Sequence, residues 1–366
     1  MVAPFLLVSL WEPAERDCSM SSLEESLEGC IIGGKERVFT ETPFPNAKSE
    51  GGSPVNGIVN SLIKDDCIAA MRQLPNECVD MVLCDLPYGT TQNKWDSVIP
   101  LDELWKQYRR VVRNDGAIVL TSQGPFTARL IMSNEKLFKY KIVWVKSKPT
   151  NFLNAKKQPL RKHEDVCVFY RRQPVYNPQM SPGEPYTKGT RKDQFSGSYG
   201  DFKPVLVQSG NGDRYPVDVV YFKTAESEGP VWHPTQKPVE LGRWMVRTFT
   251  APGDIVMDNA FGSGSFLVSA ILEGRNFIGI EKNDSPELFK AERIDLVNIA
   301  KERLKKAYES VRCTPPGESL LMEGLLKEFE SDLCPVQSAQ LLEKANPAKT
   351  VSSEPVEERG CSNASL

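Results

Sequence analysis

Between residues 58 and 312 the chain alternates short apolar runs with amphipathic stretches of helical period, and this alternation narrows the fold more than any other feature. VDMVLC (79–84), AIVLTS (117–122), YKIVWVK (140–146), EDVCVFY (164–170), DIVMD (254–258) and NFIGIE (276–281) read as strands. Helices are predicted over about 101–112, 125–132, 238–250 and 265–273, with a long one over 286–311. Strands interleaved with helices predict an α/β fold, an open and mostly parallel sheet covered by helices on both faces. In such sheets ligands bind beyond the carboxyl ends of the strands, so the loops after residues 84, 258 and 281 are where chemistry is expected.

Residues 171–232 break the pattern, being rich in Gly, Pro, Ser, Tyr and basic side chains. Irregular chain of that length inside a domain is uncommon and usually functional. The flanks differ again. Residues 1–57 and 313–366 each hold 4 Lys/Arg against 9 Asp/Glu, and both are expected to be largely disordered extensions of a 58–312 domain. The net charge of −3 therefore hides a basic centre: 136–223 carries 17 basic against 7 acidic residues, compatible with a polyanionic partner.

Two histidines, His163 and His233, and nine scattered cysteines without a CxxC pair predict no metal site and a reducing, intracellular setting. His163-Glu164 begins like a zinc-protease HExxH, but position 167 is Cys, so His163 reads as structural. No apolar run reaches the roughly 18–20 residues that span a bilayer. The opening MVAPFLLVSLW is too short, and lacks the basic start, for a secretory signal.

Three motifs carry chemistry. Asp258-Asn259-Ala260-Phe261-Gly262-Ser263-Gly264-Ser265 follows a strand and opens a helix, where glycines admit a ligand to the backbone and helix N–H groups are free. Glu281 ends the next strand, where an acid typically takes ribose hydroxyls; Leu267 replaces the third glycine of a dinucleotide fingerprint. Asp85-Leu86-Pro87-Tyr88-Gly89 offers a carboxylate, a stiffened backbone carbonyl and an aromatic ring, a pocket for a planar amine. His233-Pro234-Thr235-Gln236-Lys237-Pro238 leads into a helix.

In this order the three motifs resemble those of the amino-methylating DNA methyltransferases, in the permuted arrangement often called beta, over about 58–312. The resemblance implies a Rossmann-like, seven-stranded methyltransferase sheet, S-adenosylmethionine as cofactor and double-stranded DNA as partner. The implied reaction is methyl transfer to adenine N6 or cytosine N4 of a flipped base. Asp85 favours adenine, since the cytosine enzymes more often have Ser there. It also implies that Asp85, Pro87 and Tyr88 grip the target amine and base, and that Phe261, Gly262 and Gly264 shape the cofactor loop above Asp258. Glu281 would hold the ribose, Asp66 and Cys67 the cofactor adenine, and Lys237 would lie near its methionine end. Segment 171–232 falls where the family's target-recognition region sits. Such an enzyme would work in the cytoplasm of a bacterium or in a phage-infected cell, or in a eukaryotic nucleus or organelle; a restriction-modification setting and a homodimer are compatible with it.

Leu86 stands where the family usually has a first proline, which leaves the loop geometry and a catalytically inactive DNA-binding relic open. Cytosine-C5 chemistry is disfavoured because no Pro-Cys dipeptide occurs, and a nicotinamide dehydrogenase because of Leu267. Protein-glutamine and RNA methyltransferases place their glycine loop first.

Overall fold

The computed structural model describes residues 29–32, 35–39, 58–90, 96–190, 206–283, 287–289 and 292–313. By its contacts the chain divides into Met1–Val311 and Arg312–Leu366, and the architecture below belongs to the first unit. Beyond Cys313 the acidic C-terminal segment lies outside the described residues, as does most of 1–57.

Ten strands form one sheet. In chain order they are β1 (Gly29–Ile32), β2 (Lys35–Phe39), β3 (Ser61–Lys64), β4 (Val79–Cys84), β5 (Val112–Ser122), β6 (Phe138–Thr150), β7 (Arg161–Phe169), β10 (Val219–Phe222), β11 (Ile255–Asp258) and β12 (Asn276–Glu281). β8 (Tyr186–Thr190) pairs with β9 (Leu206–Ser209), and β13 (Glu287–Phe289) with β14 (Glu292–Ile294), as separate antiparallel ribbons. The order across the main sheet is β1-β2-β3-β12-β11-β4-β5-β7-β6-β10. Its centre, β3-β12-β11-β4-β5, is parallel throughout, and β7 runs antiparallel to both β5 and β6.

Eight of these strands come from 58–312, one more than the seven expected, and β1 and β2 add a hairpin within the acidic N-terminal segment. Cys30-Ile31-Ile32 and Arg37-Val38-Phe39 flank a Gly33-Gly34 pair, a hairpin pattern that is diluted when 57 residues are averaged together.

Helices α1 (Cys67–Met71), α2 (Leu101–Val111), α3 (Pro125–Ser133), α4 (Val239–Phe249), α5 (Ser265–Leu272) and α6 (Leu296–Cys313) cover the sheet. Two apolar clusters form, as a sheet covered on both faces requires: one includes Met71, Tyr108, Leu120 and Met257, the other Leu83, Met245, Phe266 and Phe277. Strand β4 is buried along its whole length, which is why its sequence is continuously apolar apart from Asp80. Asp80 accepts from the Ile255 N–H at 2.9 Å.

Two boundaries depart from expectation. The predicted long helix over 286–311 begins only at Leu296, because Asp295 accepts from the Asn298 N–H at 3.2 Å through its side chain and from the Ile299 N–H at 3.0 Å through its carbonyl. Asn114-Asp115-Gly116 does not close α2 but forms an irregularity inside β5, between the Val79–Val112 and Met81–Ala117 pairs. A Cβ on Gly116 would lie 2.6 Å from the Asp80 carbonyl oxygen, so only glycine lets the two strands approach there.

Candidate active site

β3, β12, β11 and β4 are neighbours, and each ends in an acidic residue or leads directly into one. Asp66, Glu281, Asp258 and Asp85 consequently line one cleft of about 570 Å³. All the site residues expected from sequence line it except Gly264, which lies behind the loop as the residue preceding α5.

The glycine loop is held by backbone geometry. Gly262 has φ +53° and Gly264 φ +81°, both in the left-handed region that glycine adopts without strain. A Cβ on Gly262 would meet nothing within 4 Å, so its backbone faces open space, whereas one on Gly264 would lie 3.0 Å from Ala300. The Gly262 N–H donates to Glu281 Oε2 at 2.8 Å, tying the glycine loop to the end of β12. Arg303 of α6 braces the loop from the other side, donating to the Ser263 carbonyl at 2.6 Å and to Ser265 Oγ at 3.1 Å. Burial draws that guanidinium down to about 10.

Below the loop Asp258 is buried, and desolvation pushes its carboxyl up to about 8. Asn259 is buried too: Tyr108 donates to its Oδ1 at 2.6 Å, and its amide lies against the Cys67 thiol. Asp66 caps α1, accepting from the Ile68 and Ala69 N–H groups at 3.1 Å through Oδ1. Burial raises the Cys67 thiol to about 11, so it acts as an uncharged lining group. Open backbone at Gly262, an acid at Glu281 and the Asn259 amide in the cleft lining fit the nucleoside cofactor expected from sequence.

The Asp85 end is held by charge. Asp85 Oδ1 accepts from Tyr88 at 2.7 Å and from Thr121, while Oδ2 accepts from Lys237 Nζ at 2.7 Å. A carboxylate has about four lone-pair positions, so the one left lies on Oδ2. Lys237 also reaches Glu164 at 3.4 Å, and Glu164 pairs with Lys146 at 3.1 Å. Burial alone would lower the Lys237 ammonium, but Asp85 and then Glu164 outweigh it and raise it. Burial alone would raise Glu164, but Lys237 and Lys146 outweigh it and hold it below its ordinary value. His233 is driven down to about 4 by burial and is neutral near pH 7.

Tyr88 packs against Phe126, with ring centroids 5.2 Å apart and planes 27° apart. Leu86, in the usual proline position, is 3% exposed and buried in the core, so its side chain anchors the loop from below. Asp96 latches the next turn, accepting from the Gly89 and Thr90 N–H groups at 2.8 Å. Gln236 joins the two ends of the cleft, since Ser263 Oγ donates to its Oε1 at 3.3 Å.

Sequence reasoning missed Glu164, Lys146, Thr121 and Asp96. Lys146 did carry a signal: it continues the buried alternation of Ile142 and Trp144 along β6, a lysine in core register. Glu164 pairs with Trp144 across β6 and β7, diagonal to Lys146, a proximity that only the strand register discloses.

Among the described residues no group of three His, Cys, Asp or Glu could hold a metal ion, and no helix is long and apolar enough to cross a membrane.

The chain is 23% identical to the type II methyltransferase M.HinfI of Haemophilus influenzae over 69% of its own length and 70% of the relative's. It is 26% identical to the DNA adenine methyltransferase YhdJ of Escherichia coli K12, over 65% and 83% respectively. The crystal structure of the M1.HpyAVI–SAM complex aligns with 66% of this chain and 98% of that one, at 22% identity and a TM-score of 0.44. The family model described as DNA methylase, of the N6/N4 methyltransferase kind, matches residues 79–287, a span that contains the Asp85, Lys237 and glycine-loop motifs and exceeds half of the chain. The protein belongs to the N6/N4 family of DNA methylases.

Proposed function

We propose that this chain methylates N6 of adenine in duplex DNA, with Asp85 as the group that grips the amine. The reading rests on one observation: a carboxylate with one open lone pair stands beside a glycine-built nucleoside cradle in the same cleft. S-adenosylmethionine, the cofactor of this chemistry, supplies a methyl group on a positively charged sulfur.

The chain's residues do the rest. The lone pair of an aromatic amine is delocalised into its ring and is a poor nucleophile. An N–H donated to Asp85 Oδ2, and the other to a backbone carbonyl of the Leu86–Pro87 segment, favour a pyramidal nitrogen whose lone pair can attack in line. Lys237 and Thr121 fix the carboxylate in place before the base arrives, so little reorganisation is needed at reaction. Tyr88 offers a ring face to the flipped base, and stacking worth about 1–3 kcal/mol helps offset a flipping cost of a few kcal/mol. Glu281 takes the ribose, and Asp66, Cys67 and Asn259 line the adenine end. The basic 136–223 stretch, with Arg214 over the Tyr186 ring at 4.4 Å, supplies backbone contacts to DNA.

Adenine is favoured by the acid at 85 and by the adenine activity in the name of the Escherichia coli relative. Incubation with S-adenosylmethionine and unmethylated duplex, followed by digestion and mass spectrometry, is expected to yield N6-methyladenine. Asp85→Ala should lower the yield by about 10²–10³-fold, the loss typical of removing one preorganised hydrogen bond to the reacting group. N4-methylcytosine instead would overturn the base, and no methylated nucleoside would overturn the reading.

A further inference from the structure

The connection between β6 and β7 carries an apolar knob. Phe152 is 69% exposed and Leu153 98% exposed, side by side in a single 3₁₀ turn (Phe152–Asn154). The turn is braced by its own atoms. Asn151 is left-handed at φ +75°, Asn154 Nδ2 donates to Asn151 Oδ1 at 2.8 Å, and the Lys157 and Gln158 N–H groups donate to the Asn154 carbonyl at 2.8 and 3.0 Å. Two large apolar side chains are thus held out into water by a preformed support. Single exposed apolar residues are ordinary, but an adjacent, braced pair at a loop tip marks a contact surface.

The surrounding charge says what the surface meets. Residues 147–163 contain Lys148, Lys156, Lys157, Arg161 and Lys162 and not one Asp or Glu. A partner that is anionic outside and apolar within fits both features: the phosphates of a DNA duplex face the basic residues, and its stacked bases the knob. Position agrees, for Lys146, Thr150 and Gln123 at the base of this loop line the cleft that holds Asp85, and Arg161 Nη1 donates to Gln123 Oε1.

We infer that Phe152 and Leu153 form a wedge that enters the base stack and fills the gap left by the extruded nucleotide. The inference rests on the reading of the chain as a DNA methyltransferase and adds how the duplex is opened. A wedge is needed only where a stack must be broken. It should therefore matter on duplex DNA and not on single strands.

The test compares wild type with the Phe152→Ser/Leu153→Ser double variant on one plasmid lacking methylation, either native or heat-denatured. Both side chains are exposed, so the variant should fold as the wild type does. The expected result is a methylation rate at least about tenfold lower on native DNA, about 1.4 kcal/mol, with less than about a twofold change on single strands. If the wild type acts on duplex alone, an abasic site opposite the mapped target should bring the variant back to within about twofold of wild type. Equal losses on all substrates would overturn the wedge and leave a general contact loop. An unchanged rate on native DNA would overturn it as well, and lost binding to anionic vesicles would then assign the loop to a membrane surface. A wild type inactive on every DNA would sink the underlying reading, a result separate from any of these.

Discussion

The two ends of the cleft are held by different forces. Around Gly262 the holding is done by backbone geometry, through a left-handed turn, an N–H on Glu281 and a carbonyl on Arg303. Around Asp85 it is done by four charges, with side chains 23% exposed for Asp85, 12% for Glu164, 9% for Lys237 and 5% for Lys146. The first is a single loop after β11, tied to the end of β12 and to α6. The second gathers residues from β6, β7, the β4 loop and the entrance to α4. A backbone-built cradle tolerates changes of side chain but not an added Cβ where φ is positive. A buried charge cluster behaves in the opposite way, being sensitive to loss of any one member.

The sharpest way to break this contrast is to remove one charge. Glu164→Gln leaves Lys146 buried without its partner, and the unfolding free energy should fall by about 3 kcal/mol in urea denaturation. Replacing the pair together, Lys146→Met with Glu164→Leu, should recover most of that loss, because a desolvated pair contributes little net stability against apolar groups of similar size. A single-variant loss under about 1 kcal/mol would mean that water screens the cluster and that charge is not what holds this end.

The same contrast explains what could be read from sequence. The glycine loop, Glu281 and the Asp85 loop were legible because each is a local pattern at a strand end, and the parallel centre of the sheet followed from continuously apolar runs such as Val79–Cys84. Glu164 was not, and Lys146 showed only as a lysine in core register, since nothing near them in sequence shows that a register between β6 and β7 pairs them and sets Glu164 beside Lys237. Lys237 was identified from its motif, but its position on Asp85 at 2.7 Å is a fact of tertiary structure. Boundaries failed where one side chain decides them, as Asp295 does for α6, or where a glycine lets a strand continue through what reads as a turn, as Gly116 does in β5.

A smaller effect should separate the two ends by pH. Burial pushes the Asp258 carboxyl up to about 8, although the Cys84 thiol and the Ala260 N–H favour its ionised form. A cationic cofactor in the cleft favours the ionised form as well, so its binding draws a proton off Asp258. Affinity for S-adenosylmethionine, measured by calorimetry, should rise up to about tenfold from pH 6 to pH 8 and flatten above, and Asp258→Asn should remove the slope. The stability linkage runs the other way. The folded state holds this proton more tightly than the unfolded chain, so the carboxyl's contribution is full below about pH 4 and is lost as pH rises through about 8. A pH-independent affinity would place the cofactor's charge away from Asp258.

The smallest expected effect probes the cradle itself, through two glycines that differ in what lies beside them. Gly262→Ala puts a Cβ at φ +53° into open space, so its cost is backbone strain alone, about 1 kcal/mol. Gly264→Ala adds to similar strain a contact of 3.0 Å with Ala300, which α6 must move to relieve, and its loss of stability should be the greater. Binding should rank in reverse. The Gly262 methyl projects into the cleft where the cofactor is expected, while the Gly264 methyl points into the packing against Ala300. Thermal unfolding and cofactor titration of the two variants therefore test the backbone-built end directly. If Gly262→Ala proves the more destabilising and the less damaging to binding, the open face of this loop is not where the cofactor lies.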